Sequence, residues 1–399
     1  MKQVETNINM DFSKAVLDNL NVAFGGEWRE ETYIVKEGEV ASYTGAGSSG
    51  FKGFSPENSG ENSRDNVAVY IDIEHDISDA LLLQYAARYE DFSDFGGTLN
   101  YKIAGRLKVT DSINLRGAIS TGFHAPTPGQ SNITSQITTF DANNNQTVEG
   151  QVTPTDPIAV AVGGKPLTEE KSKNYSLGST FTSGNIKLAV DLYQIDVEDR
   201  IYRTGNIVAP TSTGTTTVSF FTNALDVQHK GVDVVFSSKI PSFLNTDISL
   251  ALNYNQIKVT SQSLVNGLLP VGASIVEDIE NNYPEIRGVL TTRSHLSDKV
   301  DLTMRANYYG SHFDERGTIG AATNPSAKID ATIYFDTELG YAVTDTIKLA
   351  VGGTNIFNSF VNEIDAPFAN RQNVGLTYPR RSAANYEGGS WYVKARYTF

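Results

Sequence analysis

The sequence predicts an all-β chain that folds as an antiparallel transmembrane β-barrel of about fifteen strands. Apolar and polar residues alternate with a period of two in segment after segment of the chain. Charged side chains recur on the polar side of these segments, and short turns alternate with long polar connections between them. Together these three observations favour a membrane barrel with a wet interior and large loops at one end.

The segment 67–74 shows the alternation most clearly. Its odd positions are all branched aliphatic residues, whereas Asp72 and Glu74 fall on the other side. A period of two is typical of antiparallel strands that have one apolar and one wet face. The same alternation predicts further strands over 83–90, 99–109, 113–120, 247–254, 300–309, 333–341 and 391–399.

A soluble β-sandwich shows the same alternation, so charges and connection lengths decide between the two folds. Lys102, Arg106 and Arg305 stand in mid-strand on the polar side, where a water-filled lumen suits them. Short turns are predicted at 76–79, 110–112, 182–185, 297–299 and 343–346, and long polar connections at 34–63, 124–170, 203–222, 260–284, 313–327 and 358–387. Short turns at one end and long loops at the other are typical of outer-membrane barrels, and the sandwich stays as the alternative fold.

The composition argues against several other classes of protein. The chain has 399 residues and a formal net charge of -14, without the basic stripe that a nucleic-acid binder carries. Cysteine is absent, which argues against a thiolate metal site. No run approaches the ~18 apolar residues that a membrane-spanning helix needs. The first residues, MKQVETNINMDFSK, lack the apolar core of a signal peptide.

Several motifs, taken in their order and spacing, resemble a known family. They are RYEDFSDFGG at 88–97, STGFHAPT at 120–127, LTEEKSKNYSLG at 167–178, NALDVQHKGVD at 223–233, GGTNIFN at 352–358 and WYVKARYTF at 391–399. From about Asn7 onward the chain resembles the barrel of TonB-dependent outer-membrane receptors. Each motif is loose by itself, and the order of all of them carries the resemblance.

The resemblance implies a barrel of about 22 strands filled by an N-terminal plug domain. This sequence contains no plug with its energy-coupling box and too few strands for such a barrel. We therefore expect residues 1–399 to form one domain, a TonB-dependent receptor-like β-barrel that is a C-terminal fragment of a larger receptor.

The function that the resemblance implies is uptake of a scarce nutrient such as a ferric siderophore, with haem, cobalamin or a glycan as other cargoes. The expected location is the outer membrane of a Gram-negative bacterium. The expected partners are outer-membrane lipid, lipopolysaccharide, the barrel-assembly machinery, the small-molecule ligand and a TonB-type energy-coupling complex that acts through the missing plug. A passive porin-like channel and a structural or adhesive β-protein are the alternatives.

Ligand contacts are expected in the extracellular loops, where exposed aromatic and charged residues cluster. The candidates are His124, Phe220, Phe221, Tyr309, Phe313, Arg371, Arg380 and Arg381. Arginine suits an anionic ligand because its guanidinium binds carboxylate and similar groups in a bidentate way. Binding of lipopolysaccharide, or simple solvation, is the alternative role for the arginines.

His124 occupies a position where the family commonly has arginine. A loop histidine could bind haem iron, but an exposed residue at the rim is the plainer interpretation. The five histidines form no metal-ligand spacing, and no nucleophile elbow is present. The sequence therefore predicts a protein that is not an enzyme and has no metal or cofactor.

The last strand ends in alternating large residues. Trp391, Val393, Tyr397 and Phe399 lie on one side of it, opposite charged neighbours. In the family that this chain resembles, such a terminal aromatic strand helps the barrel-assembly machinery to recognise its client. An ordinary amphipathic strand is the plainer interpretation, and the two are compatible.

Overall fold

One antiparallel sheet of fifteen strands dominates the computed structural model, so the predicted all-β fold and strand number are confirmed. The structure describes residues 1–47, 50–140, 145–210, 216–314, 317–321, 325–363, 377–379, 382–384 and 387–399. Counting every strand along the chain, those of the large sheet are β1 (Lys2–Leu17), β2 (Leu20–Val35), β4 (Gly60–Ser78), β5 (Leu81–Phe92), β6 (Gly96–Lys108), β7 (Ile113–His124), β10 (Glu170–Ser183), β11 (Ile186–Arg203), β14 (Phe221–Ile240), β15 (Thr246–Gln262), β16 (Ile286–Ser297), β17 (Val300–Tyr309), β20 (Thr332–Ala342), β21 (Ile347–Thr354) and β22 (Ser390–Tyr397).

Tight turns join these strands in pairs at one end of the sheet, which we call the turn end. Hydroxyl side chains stabilise several of the turns by accepting hydrogen bonds from the backbone. Ser78 Oγ accepts from the amides of Ala80 and Leu81, and Thr110 Oγ1 accepts from those of Ser112 and Ile113. Serine and threonine favour turns for this reason, so the predicted short connections follow from local chemistry.

The two faces of the sheet differ in chemistry. On the outer face Leu99, Tyr101 and Ile103 of β6 are each more than half exposed, as expected of side chains that meet lipid. On the inner face charged residues bind one another across strands and, for Arg88 with Glu90, along one strand. The ion pairs there include Arg88 with Glu27 and Glu90, Arg116 with Asp191, and Lys394 with Glu338. This distribution matches the wet interior that the charge pattern predicts.

Within the described ranges the sheet is open, with β1 and β22 as its two edges. Every neighbouring pair in it is antiparallel. Because the sheet has fifteen strands, its two edge strands run in the same direction. Antiparallel closure into a barrel would therefore need an odd number of further strands.

Short helices and strands lie in the connections at the opposite end, which we call the loop end. The helices are α1 (Val40–Tyr43), α2 (Pro128–Asn132), α3 (Pro157–Ala161), α4 (Ala273–Asn281) and a 3-10 turn at Pro56–Asn58. The strands are β3 (Phe51–Lys52), β8 (Ser135–Phe140), β9 (Gln146–Gln151), β12 (Ile207–Val208), β13 (Thr217–Ser219), β18 (His312–Phe313) and β19 (Lys328–Ile329). No helix in the described part of the chain is long and apolar enough to cross a membrane.

Three of these connections together build a second sheet, in the order β12-β13-β9-β8-β3. We call this sheet and the helices against it the loop cap. Its hydrophobic core consists of Ala159, Val162, Ala209, Val218, Phe220 and Val265. The loop end is thus a folded body, although its sequence reads as polar connections.

The burial of Phe220 corrects one prediction. The sequence suggested an exposed aromatic residue at a ligand surface, but the Phe220 side chain is fully buried in the core of the loop cap. The cause is tertiary: residues from separate connections, such as Ala159 and Val265, meet around the ring. Phe220 therefore stabilises the cap rather than facing a ligand.

Candidate functional site

A cavity of about 960 Å³ lies at the loop end, between the strands of the large sheet and the loop cap. We call it the loop-end cavity. Its lining includes His124, Glu170, Arg200, Tyr202, Arg203 and Phe221. The volume lies at the upper end of the range of ordinary small-molecule sites, about 300–1,000 Å³.

Neighbouring strand ends place His124 and Glu170 side by side. His124 ends β7, Glu170 begins β10, and the two residues are directly paired across the strands. His124 Nδ1 lies 3.9 Å from Glu170 Oε1, and the same oxygen accepts a hydrogen bond of 3.0 Å from the amide of Ile201. The carboxylate is thereby held at the cavity wall, whereas the His124 side chain is 60% exposed.

Two arginines give the cavity its positive charge. Arg203 Nη1 donates to Gln151 Oε1 over 3.3 Å, which ties the end of β11 to the loop cap. Arg200 lies on the wall, and its guanidinium has no hydrogen-bond or ion-pair partner among the described residues. A guanidinium without a partner in a cavity is suited to bind an anionic group.

Apolar and aromatic side chains form the remaining wall. Phe221 begins β14, and Tyr202 near the end of β11 packs with Leu225 and Ile275, the latter on α4. Aromatic walls beside fixed cations can bind a ligand that carries both rings and negative charge. The cavity therefore offers charged and aromatic contacts side by side.

The cavity brings together only part of the predicted ligand set. His124 and Phe221 line it, whereas Phe220 lies behind it in the core of the cap. Tyr309 ends β17 and Phe313 lies in the connection that follows it, and neither lines the cavity. Arg371, Arg380 and Arg381 fall outside the described residues. Tyr309 packs under Arg287, whose Cζ lies 3.5 Å from the ring centroid, and against Tyr334 edge to face.

Sequence reasoning missed Glu170, Arg200, Tyr202 and Arg203. The only available signal was a break in alternation within DVEDRIYR at 196–203, where charges occupy consecutive positions. In the structure this break is a β-bulge, at which the pairing of β11 with β14 shifts between Val197 and Ile201.

The terminal signature lies on the lipid side of the sheet. Trp391, Val393 and Tyr397 of β22 are all exposed on the outer face, and the Phe399 ring packs edge to face on Tyr397 at 5.0 Å. This placement leaves the residues accessible to another protein. Recognition by the assembly machinery stays a prediction.

No metal centre is built by the described part of the chain: no three of its His, Asp and Glu side chains are grouped so as to hold an ion. A smaller cavity of about 310 Å³ lies at the turn end. It is lined by paired charges such as Arg293 with Asp301 and Lys394 with Glu338. These two pairs satisfy one another, and the cavity has about a third of the volume of the loop-end cavity, which is therefore the stronger candidate.

His312 ties another part of the loop end together. It is buried in β18, with Nδ1 3.2 Å from the Gly310 carbonyl and Nε2 3.2 Å from Ser382 Oγ. A carbonyl only accepts, so Nδ1 donates and the neutral Nε2 can accept from the serine hydroxyl. Burial lowers the pKa of His312, and the hydrogen bond to Gly310 opposes this shift without cancelling it.

We expect the connection around His312 to loosen in mild acid. Because its folded pKa is depressed, the unfolded segment binds more protons, and stability falls as the pH drops through the unfolded value of about 6.5. Hydrogen exchange of residues 310–314, corrected for the intrinsic rate, should be faster at pH 5.5 than at pH 7.5. A His312→Gln variant should lose this dependence, whereas the exposed His124→Gln should keep it. An unchanged dependence in His312→Gln would contradict the assignment.

An open antiparallel meander with an apolar outer face, a charged inner face and a capped cavity defines a receptor-type membrane barrel. Residues 3–356 match the family model of the TonB dependent receptor-like β-barrel, and the chain belongs to this family. The family consists of outer-membrane transport receptors rather than enzymes. Comparison with curated proteins gives no match.

Solved structures with the same fold confirm the architecture. A mutant of the ferric enterobactin receptor PfeA from Pseudomonas aeruginosa has a TM-score of 0.68 at 13% identity, over 100% of this chain and 54% of that one. The siderophore receptor PirA from Acinetobacter baumannii has a TM-score of 0.68 at 15% identity, over 100% and 55%. The FrpB iron transporter from Neisseria meningitidis has a TM-score of 0.65 at 11% identity, over 100% and 55%. The chain thus spans about half the length of the solved proteins it resembles.

Proposed function

We propose that this chain is the barrel portion of an outer-membrane receptor that binds a ferric siderophore in the loop-end cavity for uptake. The observation that carries the proposal is the free guanidinium of Arg200 beside the aromatic residues Tyr202 and Phe221. Ferric catecholates are anionic complexes with exposed aromatic rings. They offer negative charge to the arginines and ring faces to the aromatic wall.

The similar solved proteins support this substrate class. They include a ferric enterobactin receptor, a siderophore receptor and an iron transporter. Membership of a transport-receptor family also disfavours the passive channel that the sequence left open. The proposal places residues 1–399 in the outer membrane as one barrel domain without catalytic activity.

The remaining partners follow from this proposal. Energy for uptake would come from a TonB-type complex that acts through a plug, and lipid and lipopolysaccharide would surround the outer face. The barrel-assembly machinery would recognise the terminal strand through Trp391, Val393, Tyr397 and Phe399. The exposed side chains of this strand support that role.

Equilibrium dialysis of the detergent-folded chain with iron(III) tris(2,3-dihydroxybenzoate) tests the ligand class. We expect saturable binding at micromolar concentrations, since a preformed cavity supplies both charge and aromatic surface. Cobalamin serves as a control of similar bulk without comparable negative charge. Absence of catecholate binding by a chain that circular dichroism shows to be folded would overturn the proposal. A steady ion conductance in planar bilayers would instead support a passive channel.

A further inference from the structure

The β-bulge in β11 changes which side chains face inward. Val197 lies opposite Val227 and Arg200 opposite Leu225, so β11 contains one residue more than β14 up to Arg200. The pairing shifts back at the next step, where Ile201 lies opposite Asn223. Before the bulge, Glu198 lies on the outer face, where it binds Lys173 over 2.6 Å. In a regular strand, positions 200 and 202 would share that face with position 198.

After the bulge, Arg200 and Tyr202 lie on the cavity side of the sheet. Arg200 is paired with Leu225, which is fully buried under α4, and Tyr202 packs on the same cluster. Both residues line the loop-end cavity. The irregular pairing between Val197 and Ile201 therefore brings a cation and an aromatic ring to the cavity, whereas regular alternation would leave them on the side of Glu198.

The conformation of Asp199 makes this bulge possible. Its φ is 57°, in the left-handed region that side chains other than glycine rarely adopt. The Asp199 side chain is exposed and has no hydrogen-bond or ion-pair partner in the described part of the chain. The strained backbone is therefore held by groups other than its own side chain.

Two residues of β14 hold that backbone. Asn223 Nδ2 donates to the Asp199 carbonyl over 2.9 Å, and Asp226 Oδ1 accepts from the Asp199 amide over 3.1 Å. Asn223 is itself fixed by two hydrogen bonds of 2.9 Å to the backbone of Thr168. Asp226 Oδ2 accepts a further bond of 2.5 Å from Ser261. Neither residue belongs to the cavity lining.

We propose that Asn223 and Asp226 are positioning residues for ligand recognition, acting as a clamp on the bulge at Asp199. The clamp holds the irregular pairing of β11 with β14 that directs Arg200 and Tyr202 into the loop-end cavity. The inference rests on the proposed function for its ligand, but the conformational step stands without a ligand. The conformation of the bulge and the binding of the ligand can therefore be measured separately.

The first experiment reads the bulge directly. The chain has no cysteine, so the pair His124→Cys and Arg200→Cys accepts two spin labels and no others. In the parent chain dipolar EPR should report a short distance, because both positions line one cavity. Asp199→Val should shift the distance to longer values, because a β-branched residue resists positive φ. Asp199→Gly should leave it unchanged, because glycine adopts this φ freely.

The clamp residues are tested in the same labelled chain. Asn223→Ala and the milder Asp226→Asn should both produce the longer distance, whereas Asn253→Ala, which removes an asparagine contact on the next strand, should not. If Asn223→Ala does not fold, Asn223→Asp retains the acceptor for Thr168 and loses the donor to Asp199. A distance that stays short in the folded clamp variants would overturn the inference.

Binding of the ferric tris-catecholate then links the clamp to the ligand. Asp199→Val and Asn223→Ala should each weaken binding about tenfold, and Asp199→Gly less than about twofold. Adding Asn223→Ala to a chain that carries both Arg200→Ala and Tyr202→Ala should cause no further loss, because the clamp acts through these two side chains. A further loss in that background would assign Asn223 an effect independent of Arg200 and Tyr202 and overturn the proposal. Failure of the parent chain to bind, with the EPR shifts intact, would count against the ligand class alone.

Discussion

Replacing Arg200 and Arg203 together with alanine is expected to weaken binding of the ferric tris-catecholate on the order of a thousandfold. A hydrogen bond to a charged group contributes about 2 kcal/mol. Two such groups contribute about 4 kcal/mol, and each 1.4 kcal/mol corresponds to about tenfold in affinity. Both arginines line the same cavity, so their loss leaves the anion facing the aromatic wall and Glu170.

The dialysis assay measures this effect, with Arg305→Ala as the matched control. Arg305 lies on the inner face in mid-strand, paired opposite Thr291 and Asp336 and away from the cavity. Its removal changes the net charge without touching the site, so binding should change less than about threefold in ordinary salt. Arg200→Lys should give an intermediate loss, because lysine keeps the charge but not the bidentate geometry. Equal losses for Arg305→Ala and the double variant would contradict a local site.

The sequence predicts the strands of the large sheet well because their signal is local. Between Val67 and Glu74 one face of the strand must meet lipid and the other water. Each successive residue therefore indicates the same two-residue period. Ser78 and Thr110 likewise mark turns through bonds to amides two or three residues away. Neither feature depends on distant parts of the chain.

The candidate site is predicted only in part, because its geometry depends on a local exception to the two-residue alternation. His124 and Phe221 are found by their place at strand ends next to long connections. Arg200 and Tyr202 look like lipid-side or loop residues in the sequence, because the bulge at Asp199 that interrupts the alternation is visible only in the structure. The bonds that hold this bulge come from another strand, so no window of sequence around Arg200 contains them.

The loop cap is unpredicted for a different physical reason. Strands as short as β12 and β13 have little signal of their own and are fixed by their partners in other connections. The parallel pairing of β13 with β9 joins residues far apart in sequence. In the sequence Phe220 therefore stands in a polar connection, and only the assembled cap shows its burial.

Replacing Phe220 with alanine should open the loop cap while leaving the large sheet intact. Truncation of a buried phenylalanine to alanine lowers the free energy of unfolding by about 3–5 kcal/mol. The loss destabilises a small cluster in which Phe220 is the largest side chain and Val218 and Val265 are among its neighbours. We expect amide protection in β9 and β13 to fall by at least about a hundredfold, and protection in β4 and β5 to stay unchanged.

The neighbouring residue provides the control that separates packing from ligand contact. Phe221 is partly exposed and lines the cavity, so Phe221→Ala should weaken catecholate binding without deprotecting β9 and β13. Phe220→Ala should lose both protection and binding, because Arg203 and Gln151 are joined only while the cap is folded. If Phe220→Ala binds normally with an unprotected cap, the ligand is held by the strand ends alone. The cap would then have no part in recognition, and the cavity would end at Arg200 and Tyr202.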